Sequence, residues 1–246
     1  MFHNREDAAY QLAEKLRGRK LRHPLVLAIP RGGVVIGAIL AQKLGAELDV
    51  VLSRKLHAPG QPELALGAIS EEGSIYLNHY AREYPDLTED YLIEEQRQQT
   101  AEIERRKQLF RDIRPPASLQ GRSVIITDDG IATGSTMIAA LQTAKLKDPH
   151  ELVVAVPVVS PERITEIRRW CDDLVYLQAP EEFWAIGQFY EDFEQIPDDQ
   201  VVALLRAANT AFPGNIRGDN SSGSHRSAHS RQAYQMEGPF HGPIQR

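Results

Sequence analysis

Two adjacent carboxylates, Asp128 and Asp129, end a run of β-branched residues in the stretch VIITDDGIATGST. A loop of small residues follows, Ala132, Thr133, Gly134, Ser135 and Thr136, and then the helical pattern MIAALQTAK. Asp-Gly after a strand is also a hairpin signal, but a hairpin needs a second strand, and here a helix comes next. The first amides of a helix lack partners, and its dipole favours negative charge there. Small residues let those amides approach an anion closely, and Thr and Ser hydroxyls add donors. Residues 132–136 therefore read as a phosphate cradle. The carboxylates would repel phosphate. They are acceptors, suited to vicinal hydroxyls on the same ligand or to a divalent metal. A ligand with a phosphate at one end and a diol a few ångströms away is a ribose 5-phosphate.

Four other stretches carry groups suited to such a ligand. Pro30-Arg31-Gly32-Gly33 follows an apolar run and opens a helix. Its glycines permit close backbone approach, and Arg31 adds a cation with several donors. Alone, it is either an anion loop or a strand-to-helix turn with a surface arginine. Ser53-Arg54-Lys55 ends a second apolar run, and ligands of open α/β sheets gather at such strand ends. The following HAPGQPELALGAI holds two Pro and two Gly, as a mobile loop or an ordinary surface loop would. Late in the chain, FWAIGQFY (183–190) is either core or a stacking platform.

Residues 124–136 resemble the signature with which type I phosphoribosyltransferases bind 5-phosphoribosyl 1-pyrophosphate (PRPP). One departure is Gly130, where an apolar residue often follows the acids; a glycine there is expected to loosen the turn without removing a ligand contact. The resemblance implies that Asp128 and Asp129 face the ribose 2- and 3-hydroxyls and that Ala132, Thr133, Gly134, Ser135 and Thr136 hold the 5-phosphate. It implies that Arg31, Gly32 and Gly33 form the pyrophosphate loop, which in this family often carries a non-proline cis peptide; Arg31–Gly32 is the expected bond. Arg54 or Lys55 would neutralise the leaving pyrophosphate, and 57–69 would be the flexible lid that excludes water. Trp184 would stack on a base, with Ile186 and Gly187 supplying a backbone edge.

The implied reaction is displacement of pyrophosphate from PRPP by a nitrogen nucleophile, a nucleobase being the expected acceptor, in nucleotide salvage. Mg²⁺ is the implied cofactor, meeting Asp128 and Asp129 through the ribose and PRPP oxygens. The resemblance spans residues 1–207 and is strongest to stand-alone bacterial proteins of this kind. Two other readings share the same site: a non-catalytic sensor of PRPP or a nucleotide, and a hydrolase or transferase acting with water or a small amine. Purine, pyrimidine and other amine acceptors all stay open.

These groups need a scaffold, and the chain spells one. Apolar runs at 25–29, 48–52, 124–127, 152–159 and 174–177 do not alternate with polar residues, as suits strands covered on both faces of a parallel sheet. Helical patterns lie between them. Arg5–Leu16 places Ala9, Leu12, Ala13 and Leu16 on one face, and 33–44 is apolar nearly all round. A helix at 136–145 follows the acidic stretch, Ser160 and Pro161 start another toward Trp170, and Asp198 caps a last one through Leu205. The alternation predicts a doubly wound α/β domain with a mostly parallel sheet and a small hood near the C-terminus. A hairpin is expected from 65–69 and 74–77 around Glu71-Glu72-Gly73. The charged stretch 88–111 predicts a solvated flank helix, with an oligomer contact, and hence a homodimer, as the alternative.

The 246 residues carry a net charge of -6, which speaks against a nucleic-acid binder. A polar start unlike a signal peptide, no apolar run of membrane-spanning length and a single cysteine, Cys171, predict a cytoplasmic protein. One domain is expected over 1–210. Residues 211–246, rich in Gly, Ser, Asn and Arg, read as a disordered tail, and His225, His229 and His241 lie in it without fixed geometry.

Overall fold

The computed structural model describes residues 1–78, 81, 84, 87–211 and 235–236, with backbone alone at 62, 63, 211, 235 and 236. Five strands form an all-parallel sheet: β1 (Leu25–Ala28), β2 (Glu47–Val50), β6 (Ser123–Thr127), β7 (Glu151–Val158) and β8 (Asp173–Gln178). Their order is β2-β1-β6-β7-β8. Neighbouring residues of one strand enter opposite faces. Val26 and Ala28 join one apolar cluster, with Leu12 of α1 (Arg5–Leu16) and Ile36 of α2 (Gly32–Leu44). Leu25 and Leu27 join another, with Leu141 of α4 (Ser135–Lys145) and Ile167 of α5 (Pro161–Ile167). This double covering is why the strands are apolar without alternation. Observed ends differ from the expected ones by a residue or two, as terminal pairing permits.

A second, smaller sheet holds β3 (Ser53–Ala58), β4 (Gln61–Ser70) and β5 (Ile75–Leu77), antiparallel in that order. The hairpin around Glu71-Glu72-Gly73 thus forms. The stretch expected as a lid is itself a hairpin, turning at Pro59-Gly60. Long helix α3 (Glu89–Phe110) packs on β3, with Thr88 capping it through the Tyr91 amide. Its inner face buries Glu95, Gln99, Ile103 and Phe110 while exposed pairs such as Glu94–Arg97 line the outer side, so it is a flank helix with a polar inner seam.

The hood is a loop with one 3₁₀ turn, Ile186–Phe189. The N-terminus is sewn into it: Phe2 N donates to the Phe189 carbonyl at 2.7 Å and Glu191 N to the Phe2 carbonyl at 2.9 Å. Helix α5 stops at Ile167, short of Trp170, and α6 (Asp198–Ala211) runs past the expected Leu205. Of the expected tail, Gln235–Met236 forms β9, parallel to β5; residues 212–234 and 237–246, with His225, His229 and His241, lie outside the described residues. Among the described residues no helix is long and apolar enough to cross a membrane.

Candidate active site at the strand ends

Strand β6 delivers Asp128 and Asp129 to the carboxyl edge of the sheet, beside the start of α2. The approach is close. A Cβ on Gly32 would lie 1.9 Å from Asp129 Oδ2, and one on Gly33 would lie 2.9 Å from Asp128 Cα. Only glycine fits at either position.

The two acids have different neighbours. Asp129 is buried and accepts from Arg5 Nε at 2.9 Å. Arg5 is buried too; its other arm donates to the Glu194 carbonyl at 2.8 Å, and its guanidinium lies 3.8 Å from the centre of the Phe193 ring. The Tyr190 hydroxyl donates to the Asp129 carbonyl at 2.6 Å. Half-buried Asp128 receives no side-chain cation; its Oδ1 accepts the Asp129 amide at 2.9 Å. Burial raises both pKa values above the carboxylate norm. For Asp128 the charge of Asp129 adds to the rise, while for Asp129 the Arg5 guanidinium opposes it. Burial, then the nearby Asp129, also raises Tyr190, which stays a neutral donor.

The small-residue loop leads into α4 at Ser135. Gly134 occupies its N-cap with φ +77°, a left-handed conformation that favours glycine. The first intrahelical bond is Ile138 N to Gly134 O, so the amides of Ser135, Thr136 and Met137 precede it. Thr133 and Ser135 line a cavity of about 360 Å³ shared with Lys55, Asn78 and Arg163. Ala132 and Thr136 flank this turn.

Arg31 and Lys55, both expected beside the pyrophosphate, line separate cavities. Consecutive β3 residues point to opposite faces. Lys55 enters the cavity of the small-residue loop. Arg54 turns the other way, donating from Nε to Gln99 Oε1 of α3 at 3.1 Å. Arg31 lies on a separate cavity with Arg105 and Arg106 of α3. The non-proline cis peptide is Pro30–Arg31, one bond earlier than expected; Gly32 is already the first residue of α2, so the turn must be complete before it.

Gly130 lies where the hood meets the acidic turn. A Cβ there would lie 2.8 Å from both Ile186 and Val158, so the glycine lets the hood pack onto the acidic turn. Ile186 is thereby brought to the site, whereas Trp184, 87% exposed, stands on the rim of the hood. Gly187 packs against Phe193.

Arg5, Tyr190 and Arg163 were not anticipated. Arg5 did leave a signal: it shares the helical face of Ala9, Leu12 and Leu16, where a charge needs a buried partner. Tyr190 left none, since its bond is to a backbone carbonyl. Cys171, its thiol pushed up to about 11 by burial, lies on the α5 side of the sheet, away from the acids.

The family model described as "Phosphoribosyl transferase domain" matches residues 2–194. Two Mycobacterium tuberculosis proteins, from strains CDC 1551 and H37Rv and named as candidate phosphoribosyl transferases, are each 40% identical over 212 residues, covering 86% of this chain and 48% of theirs. The chain thus spans about half the length of these relatives. The crystal structure of TT1426 from Thermus thermophilus is 43% identical, superposes with a TM-score of 0.80 and covers 84% of this chain and 98% of its own.

Proposed function

The chain belongs to the phosphoribosyl transferase domain family, and we propose that it transfers the 5-phosphoribosyl group of PRPP to a nitrogen nucleophile, releasing pyrophosphate. The observation that carries this reading is the shared strand-end edge of Asp128–Asp129, the α4 turn and the Gly32–Gly33 approach. The 5-phosphate sits on the amides of Ser135 and Thr136, with Lys55 and Arg163 flanking it. Asp128 accepts from the ribose hydroxyls. Asp129, bound to Arg5, fixes the turn and the hood instead of holding the sugar. Departure of pyrophosphate leaves positive charge on the anomeric carbon, and the Asp128 carboxylate lies on the side where it develops. The nucleophile enters under the hood, between the Ile186 backbone and the rim that bears Trp184, a nucleobase being the acceptor that suits such a slot.

No three His, Cys, Asp or Glu side chains converge as a metal cluster among the described residues. With Asp129 held by Arg5, the residues fit a Mg²⁺ ion carried mainly by PRPP oxygens, Asp128 being the carboxylate that could reach it. Bound there, it would offset leaving-group charge.

Calorimetric titration with ribose 5-phosphate tests the assignment. Asp128→Ala and Lys55→Ala should each weaken binding at least tenfold, about 1.4 kcal/mol. Wild-type affinity in both variants would refute the placement of the sugar phosphate.

A further inference from the structure

The cavity that Thr133 shares with Lys55 does not end at the small-residue turn. Ser135, Ile138, Ala139 and Gln142 all line it, at the spacing that puts residues on one face of α4. Seven residues at about 1.5 Å each carry Gln142 about 10 Å along the helix from Ser135. The facing wall comes from β4, through Leu64, Ala65 and Gly67. Asp128 and Asp129 are absent from the walls, so the cavity is not the sugar site itself. At about 360 Å³ it lies in the range that holds a drug-sized molecule, far more than one phosphate fills.

The two ends offer different chemistry. Arg163 stands at the turn: its Cβ lies 3.8 Å from where a Cβ on Gly134 would sit, and it pairs loosely with Glu166 at 3.4 Å. Ile138 and Ala139 then give apolar wall, and the helix face ends on Gln142. That glutamine is only 3% exposed, yet among the described residues its side-chain amide has no hydrogen-bond partner. Buried polar groups left in that state are costly. Its neighbours are satisfied. The Thr143 hydroxyl donates to the carbonyls of Ala139 and Ala140, both at 3.1 Å. Asn78, the other amide on the cavity, donates to the Ala65 carbonyl at 2.9 Å and accepts the Ala81 amide at 3.2 Å. Gln142 alone of these keeps both a donor and an acceptor for whatever enters.

We propose that the Ile138–Ala139–Gln142 face of α4, walled by β4, is a subsite for the uncharged heterocycle of a nucleoside 5-monophosphate, with Gln142 reading the donor and acceptor on the ring edge. The phosphate takes the cationic end, at Arg163 and Lys55, and the flat ring lies against Ile138 and Ala139. A bare sugar phosphate would leave the Gln142 amide unmet, and a site with such an amide favours a ligand that meets it. This subsite is separate from the slot under the hood. Because the nucleotide shares the phosphate turn with the donor sugar, it binds in place of PRPP and restrains the reaction. That regulatory consequence rests on the function proposed above; the heterocycle subsite does not.

Calorimetric titration of the full chain with adenosine, guanosine, cytidine and uridine 5-monophosphates, beside ribose 5-phosphate, tests this. At least one nucleotide should bind tenfold or more tightly than ribose 5-phosphate. Gln142→Leu, which keeps the bulk and removes the amide, should erase that gain and leave ribose 5-phosphate within twofold of wild type. Ala139→Leu, which narrows the cavity with the amide intact, should also erase it. Trp184→Ala, on the hood, should leave the gain in place. Nucleotides that bind no more tightly than ribose 5-phosphate overturn the proposal. So does wild-type nucleotide affinity in both Gln142→Leu and Ala139→Leu, and loss in Trp184→Ala instead would put the ring under the hood. If nucleotide binding depends on Gln142 while ribose 5-phosphate never binds, the subsite stands and the sugar-transfer reading falls.

Discussion

Asp128 and Asp129 are neighbours in sequence, yet one has a cation and the other does not. Asp129 accepts from Arg5, and removing that partner would leave a buried charge alone. Asp128 gives up water for backbone amides only, and its pKa is raised by burial and by Asp129. A native carboxylate pKa above the unfolded value of about 3.9 makes the ionised form costly in the folded state. The cost is full above the raised native pKa. It fades as pH falls through that value and is gone below the unfolded one. Asp128→Asn, which keeps an oxygen for the amides, should therefore melt at a higher temperature than wild type near about pH 8, with the gap closing toward about pH 4. A lower melting temperature at the higher pH would contradict this account of the acid pair. The variant should also lose the sugar phosphate, so that stability is given up for function at this residue.

Among the elements, the β3–β4–β5 sheet packs against α4 of the parallel-sheet layer and against α3. At its C-terminal end, Arg111 donates to Asp49 of β2 at 2.7 Å and pairs with Glu71 in the β4–β5 turn. All three side chains are nearly buried. Burial raises Glu71 while Arg111 opposes the rise. Arg111→Ala would strand two buried carboxylates and should cost about 3–5 kcal/mol in urea unfolding; a loss below about 0.5 kcal/mol would show the knot to be incidental. The turn was legible as Glu-Glu-Gly, but its buried partner was not, because Arg111 lies forty positions on in a helix that reads as solvated. In the β3–β4 hairpin, a register shift between Leu56 and His57 turns His57 to the α3 side, where Glu95 lies 2.6 Å from its Nδ1. Simple alternation would have placed His57 on the face of Lys55.

At the scale of the whole molecule, the parallel sheet was readable because 25–29 and 124–127 are apolar without interruption, and the site because acids and small residues share one strand-to-helix turn. What escaped was long-range: the clasp of Arg5 on Asp129, the separation of Arg54 from Lys55 onto opposite faces of β3, and the packing of Ile186 on Gly130. The first and last depend on how distant segments meet, which local pattern does not encode; the second follows from strand alternation, but what each face of β3 meets is again set by distant segments. The most direct test is phosphorus NMR of the purified chain with PRPP and Mg²⁺, with and without a mixture of nucleobases. The account predicts pyrophosphate that appears only when a base is present. PRPP resonances that broaden without releasing pyrophosphate would contradict transfer and leave a binding protein, and spectra unchanged by the protein with bases present would contradict the sugar-phosphate site itself.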